Sequence, residues 1–196
     1  IMEEGTELLL RLKSALVDKD PNVKLPQLTS CSPGWVKYIE HFYPDYLDHL
    51  SSAKSPQQMF GALIKTYYAQ KVGVDPADIV SVAVMPCSAK KFECNRPEMT
   101  DSGFKDVDFG LTTRELAKMI KEAGIYLPEM PKSHFDSPFG DASGAGLIFG
   151  TTGGVMEAAL RTAYELVTGR EVPFKNLDIE ACRGFDGIKQ SSVMLE

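Results

Sequence analysis

A thiol, two ammonium groups and a carboxylate follow one another in Cys87-Ser-Ala-Lys90-Lys91-Phe-Glu93. A cysteine beside cations ionises more readily, and the thiolate is the form that binds a soft metal or attacks an electrophile. The apolar run Val80 to Met85 leads into this stretch, and Pro86, with no N–H to donate, ends the strand that the run predicts. A thiolate at such a strand end suits a soft metal or an anionic cofactor. The alternative is a thiol that packs as a small hydrophobe. Two further loops share the design. Thr29–Trp35 and Ser51–Gln57 also set small, polar or sulfur-bearing residues next to proline at an element boundary. Loops of this kind can meet at the mouth of a sheet, where ligands of α/β folds bind.

Other groups point less sharply to chemistry. The four cysteines, Cys31, Cys87, Cys94 and Cys182, are far apart, and no C-x-x-C pair occurs. A zinc ribbon and a complete ferredoxin-type motif are therefore excluded. A chain this rich in apolar residues does not need a disulfide framework, so a reducing, cytoplasmic setting is expected. The three histidines, His41, His49 and His134, lie in polar surroundings without ligand spacing. Phe149-Gly-Thr-Thr-Gly-Gly154 precedes a helix and is either an anion-holding loop or a close-packed turn. Glu3, Glu4 and Glu7 stand at a helix start, where the helix dipole favours carboxylates.

The elements that must position these groups alternate. Helical spacing covers Glu4 to Val17, with Leu8, Leu9, Leu12, Ala15 and Leu16 as the buried face. A short strand is expected over Leu25 to Leu28. A helix capped by Ser32 with Pro33 in its first turn follows, and a second, capped by Ser55 with Pro56, runs from Gln57 to Gln70. That second helix is expected to bury Met59, Phe60, Leu63, Ile64 and Tyr67 and to stop at Gly73. Val107 to Leu111 predicts a strand, and Thr113 a cap for a helix over Arg114 to Ala123 that ends at Gly124. Residues 125–145 predict a long loop, Ala145 to Gly150 a strand, Val155 to Val167 a helix, and Asp178 to Cys182 a strand before a turn at Arg183–Gly187. This order predicts an α/β fold, with mostly parallel sheets flanked by helices.

A length of 196 residues allows one sizeable core or two lobes. A net charge of -6 argues against nucleic acid as partner, and the lack of any membrane-length apolar run argues against a membrane. The chain opens as if inside a helix and closes on Ser191–Glu196 as if starting a strand, which suggests a piece of a longer domain.

The loops closely resemble signatures of the [FeFe]-hydrogenase catalytic domain. Thr29-Ser-Cys-Ser-Pro-Gly-Trp35 stands where that family reads T-S-C-C-P-x-W, and Met85-Pro-Cys-Ser-Ala-Lys-Lys-Phe-Glu93 matches M-P-C-x-x-K-x-x-E in full. Ser51–Gln58, Thr112–Leu116, Ser143–Gly146, Gly153–Arg161 and Arg183–Lys189 are also family-like, so the resemblance covers essentially the whole chain. It implies two lobes with the active site in the cleft between them, and reversible reduction of protons to dihydrogen. The implied cofactor is the H-cluster, a [4Fe–4S] cluster bridged by cysteine to a two-iron subsite with CO, cyanide and azadithiolate. The implied electron partner is ferredoxin or an NAD(P)-linked redox subunit.

By position, the resemblance makes Cys87 a cubane ligand and Lys90 a donor to cyanide, with Pro56, Gln57, Met85 and Phe149 lining the two-iron pocket. It makes Cys31, Glu4, Ser51, Glu7 and, at the outer end, Arg11 a proton route, in which the thiol, hydroxyl and carboxyl groups both donate and accept. Two departures accompany it. The residue before Pro33 is Ser32 where the family has a cubane cysteine, so either Ser32 ligates, Cys31 takes over, or this form does not hold the cluster normally. The third signature, E-x-M-A-C-x-x-G-C-x-x-G-G-G, does not occur in these 196 residues. The resemblance therefore implies part of a hydrogenase catalytic domain that does not hold the complete cluster alone. Related iron–sulfur assembly factors, which usually lack a cysteine at the Cys31 position, and sensory proteins of the same domain family are the alternatives.

Overall fold

The computed structural model describes residues 2–29, 31–140, 144–173, 175, 180–182 and 185–194. In chain order the helices and strands are α1 (Met2–Leu12), α2 (Pro33–Phe42), α3 (Pro56–Leu63), α4 (Ala69–Val72), β1 (Val82–Val84), α5 (Ala89–Glu93), β2 (Phe109–Leu111), α6 (Thr113–Glu122), α7 (Ala145–Ile148), α8 (Gly154–Thr168), β3 (Glu180–Cys182) and β4 (Phe185–Gln190). Wider, π-type turns extend α1 through Lys13–Val17 and join α3 to α4 through Ile64–Tyr68. Helices and a small parallel sheet together make an α/β fold.

The chain divides into two compact units, residues 1–27 with 141–196, and residues 28–140. In the first, α1 packs on α8, and β3 pairs antiparallel with β4. In the second, β1 and β2 pair in parallel, with Val82 opposite Phe109 and Val84 opposite Leu111. Among the described residues, then, one strand pair is parallel and one antiparallel.

Helix ends follow local chemistry. The Ser55 hydroxyl accepts from Gln58 N at the start of α3. Gly73, Gly124 and Gly169 take positive φ values at the ends of α4, α6 and α8, where a side chain would be strained. The cap of α6 is Thr112 rather than Thr113, because Glu115 reaches back from the third helical position to complete a reciprocal capping box with Thr112. Residues 145–148 form a helical turn and not a strand. A short apolar run is ambiguous in period, and bonds such as Phe149 N to Ala145 O close it as helix. The strand expected at 25–28 shrinks to one parallel bridge, Leu28 with Leu50. Residues 185–190 are strand where a turn was expected to reach Gly187, and 191–194 carry none. Ser143, Asp178, Ile179, Arg183, Gly184, Leu195 and Glu196, on which parts of those expectations fall, lie outside the described residues.

The stretch 56–72 buries a face opposite to the one its apolar pattern predicts. Gln58, Gly61, Lys65 and Ala69 are buried, whereas Phe60, Leu63 and Tyr67 are exposed. The cause is the segment that α3 packs on. A Cβ at Gly61 would lie 2.4 Å from Asp106 O and 2.7 Å from Val107 Cγ2, so only glycine permits the approach. Lys65 Nζ, buried beside it, donates to Lys105 O at 2.7 Å and pairs with Asp108 Oδ2 at 2.7 Å. Gly61→Ala is expected to lower stability by about 1–3 kcal/mol through overpacking, outweighing the gain of about 1 kcal/mol in helix propensity. A denaturant midpoint left unchanged or raised would contradict this packing.

Two carboxylates anchor the same segment. Asp106, fully buried, accepts from Ser102 N at 3.0 Å, Asp101 N at 3.1 Å and Lys54 Nζ at 3.2 Å. Burial opposes its charge, but the Ser102 hydrogen bonding and the Lys54 ammonium prevail and hold the carboxyl below its usual range. Burial likewise opposes the charge of Asp108, and Lys65 with the Ser81 N–H overcomes it. Because both folded pKa values are depressed, the stabilisation is complete above about pH 4, the unfolded value, and is lost as the pH falls through the folded values. Unfolding midpoints from about pH 6 to about pH 3 should drop with acid, and Asp106→Asn should flatten the drop.

Candidate functional site

Strand β1 delivers the site. Met85 N donates to Leu111 O at 2.9 Å, one step beyond the strand, and Pro86 then ends the ladder. Cys87 O accepts from Lys90 N at 3.3 Å, which starts α5 directly after the cysteine. Lys90 and Glu93, three apart on α5, fall on one side of it. Across from them, Leu28 N donates to His49 O and Ser51 N to Leu28 O, each at 2.7 Å. That bridge holds the segment of Cys31 beside the loop of Ser51.

All three loops converge on one buried carboxylate. Lys90 Nζ donates to Cys31 O at 2.7 Å and to both Glu93 oxygens at 3.2 Å. Ser55 Oγ donates to Glu93 Oε2 at 2.9 Å, and Gln57 Nε2 lies 3.4 Å from the same oxygen and 3.0 Å from Cys94 Sγ. The side chains of Lys90 and Glu93 are 9% and 5% exposed, so their pairing is shielded from water and salt. Burial, then the nearby Glu93 charge, pushes the Cys94 thiol up and leaves it neutral and unreactive. The role of Glu93 is not visible in composition or spacing beyond the i,i+3 pair that it makes with Lys90.

Cys31, Pro56, Gln57, Met85 and Lys90 line one cavity of about 730 Å³, with Phe60, Ile64, Val84 and Val107 among its apolar walls. Ser51, buried, lies instead on a second cavity of about 350 Å³ together with Ser55, Glu93, Lys54 and Arg96. Its hydroxyl accepts from Ala53 N at 3.1 Å. Cys87 is an exposed free thiol, as is Cys31. Ser32 caps α2 through its backbone, with no side-chain bond to the first turn, and its carbonyl accepts from Val36 N at 3.0 Å. In the other unit, Glu4, Glu7 and Arg11 share a half-buried face of α1, and Arg11 Nη2 meets Glu7 Oε1 at 2.7 Å. Phe149 ends α7 in that unit. The glycine loop after it is close-packed: a Cβ at Gly154 would lie 1.8 Å from Ile148 O. The side chain of Cys182 lies outside the described residues.

The cavity suits a group with soft and anionic ligands. Thioether, thiol and proline surfaces make its walls, and one ammonium is the charged donor. The buried Gln57 Oε1 has no hydrogen-bond partner, which leaves an acceptor open to a donor from outside the chain. A four-iron cluster is less well provided for, since it asks for four thiolates. Among the described residues, no three His, Cys, Asp or Glu side chains come together as a metal site. No helix among them is long and apolar enough to cross a membrane.

The family described as iron only hydrogenase large subunit, C-terminal domain, matches residues 1–196. The NADP-reducing hydrogenase subunit HndD of Solidesulfovibrio fructosivorans is 57% identical over 193 residues, 98% of this chain and 32% of that protein. The periplasmic [Fe] hydrogenase large subunit of Nitratidesulfovibrio vulgaris is 51% identical over 98% of this chain and 44% of its own length. A cytosolic Fe-S cluster assembly factor, narfl of Xenopus tropicalis, is more distant, 34% identical over 92% of this chain and 40% of that protein. Among solved structures, a variant of the apo [FeFe]-hydrogenase HydA1 from Chlamydomonas reinhardtii superposes with a TM-score of 0.72 at 48% identity, covering 96% of this chain and 46% of that one. The chain thus spans less than half the length of these relatives.

Proposed function

The chain belongs to the C-terminal domain family of iron-only hydrogenase large subunits, and from that premise we propose that it is part of an enzyme that reversibly reduces protons to dihydrogen. The observation that carries this reading is the single cavity formed by Cys31, Pro56, Gln57, Met85 and Lys90. When bound, the two-iron group supplies the electrons and the basic nitrogen at which protons and dihydrogen interconvert. The chain's own residues do the rest. Cys87 offers a thiolate to the adjoining cubane. Lys90 presents an ammonium to an anionic ligand, a charge-assisted contact. Pro56, Gln57 and Met85 keep the pocket dry, which strengthens every polar contact inside it.

Cys31 Sγ exchanges the proton, and the resemblance assigns Glu4, Ser51 and Glu7 to its onward route, with Arg11 at the outer end. The half-buried Glu7–Arg11 pair supports an outer end at Arg11. Electrons come from ferredoxin or an NAD(P)-linked redox subunit, as the name of the Solidesulfovibrio relative suggests. A reducing, cytoplasmic setting fits the free thiols of Cys31, Cys87 and Cys94. The presence of Cys31 favours the enzyme over an assembly factor, because the proton route needs a group there that can give and take a proton.

The 196 residues alone are proposed not to hold the complete cluster, because the third cysteine signature, with two of the family's cluster ligands, does not occur in them. Iron and sulfide analysis after anaerobic reconstitution tests this. The expected result is a substoichiometric iron content and no dihydrogen from a reduced viologen dye. A full six-iron complement with hydrogen evolution from this chain alone would overturn it.

A further inference from the structure

We propose that Glu93 is the positioning residue of the cavity: one buried carboxylate orients two polar side chains that line it, the Lys90 ammonium and the Gln57 amide. The contacts are specific. Glu93 takes Lys90 Nζ at 3.2 Å on each oxygen, and its Oε2 also faces Gln57 Nε2 at 3.4 Å. A lysine side chain has four rotatable bonds, and fixing its ammonium costs rotamer entropy that only a strong, shielded partner offsets. Glu93 is that partner. It is 4% exposed, and it is itself held by the Ser55 hydroxyl at 2.9 Å, which sits at the fixed N-cap of α3. The lysine's remaining bond, to Cys31 O at 2.7 Å, carries the orientation across to the backbone beside the exposed Cys31 thiol.

The same carboxylate decides which way the Gln57 amide lies. Turned over, the amide would set its oxygen against the Glu93 carboxylate, acceptor against acceptor. With nitrogen toward Glu93 and Cys94, the oxygen is left as the atom without a partner. A single charge thus sets a donor and an acceptor on the cavity wall.

The contacts stand on the geometry alone, whereas the purpose of the orientation rests on the proposed reading of the cavity as the two-iron pocket. Two measurements separate these. In the metal-free protein, Glu93→Gln is expected to shift the Gln57 side-chain amide resonance and to accelerate hydrogen exchange at the Lys90 ammonium. In the metal-loaded intact enzyme of which the chain is proposed to be part, infrared spectra should show the cyanide stretching bands moved by Glu93→Gln in the same direction as by Lys90→Met. Adding Glu93→Gln to a variant that carries both Lys90→Met and Gln57→Leu should then move them no further, the coupling expected of a residue that acts through its neighbours. A merely structural loss would instead add to the shift of that double variant, and that additivity would overturn the proposal. So would unmoved bands in Glu93→Gln beside moved bands in Lys90→Met. Changed resonances with bands unmoved in both variants would uphold the positioning and overturn the two-iron reading of the cavity.

Discussion

In the intact enzyme of which this chain is proposed to be part, replacing Cys87 by alanine should abolish dihydrogen evolution and strip iron while leaving the fold intact. The side chain is exposed and follows the end of β1, so its loss opens no cavity in the core. Changes to residues that only support a metal ligand already cost about 10–100-fold in affinity or activity, and the loss of a thiolate ligand should exceed about a hundredfold. The measurement is iron and sulfide content beside the viologen-linked rate, with circular dichroism as the check on folding. Retained iron and more than a tenth of the rate would remove Cys87 from the ligand set.

In the same intact enzyme, Cys31→Ala should separate chemistry from assembly. The thiol is exposed on the cavity wall, and only its backbone carbonyl is used structurally, by Lys90. Alanine keeps that carbonyl, so metal loading and the infrared bands of the loaded protein should stay close to those of the parent. The rate in both directions should fall by roughly a hundred- to ten-thousandfold, the usual worth of a positioned proton donor or acceptor. A rate within a few-fold of the parent would show that protons reach the cavity by another way. Loss of iron together with rate would instead make Cys31 the ligand that stands in for the serine at position 32.

Local chemistry made part of this architecture readable. Proline and serine at 32–33 and 55–56 mark helix starts because their effects act within one turn, and glycines 73, 124 and 169 mark helix ends for the same reason. The three loops that meet at the cavity were visible as loops, and the residues 31, 56, 57, 85 and 90 do share one wall. What escaped is either ambiguous in period or dependent on distant partners. The apolar turn at 145–148 has no period of its own, and its helical form comes from its own hydrogen bonds. The buried face of 56–72 was assigned by hydropathy, yet the partner segment 105–108 offers carbonyls and carboxylates, which select Lys65 and a bare glycine. Glu93 shows the same thing at the site itself. Its neighbours in space come from residues 55, 57 and 90, and only the last is near in sequence.

The reversed burial of residues 56–72 divides labour along one helix. Its foundation is polar and glycine-tight, and its apolar side, with Phe60 and Ile64, is cavity wall. Along this stretch, the side chains that shape the chamber are therefore not those that pack it on the segment 105–108. The chamber can be resized by exchange at positions 60 and 64 with little loss of fold, so pocket shape and thermal endurance are free to drift apart among descendants of this sequence.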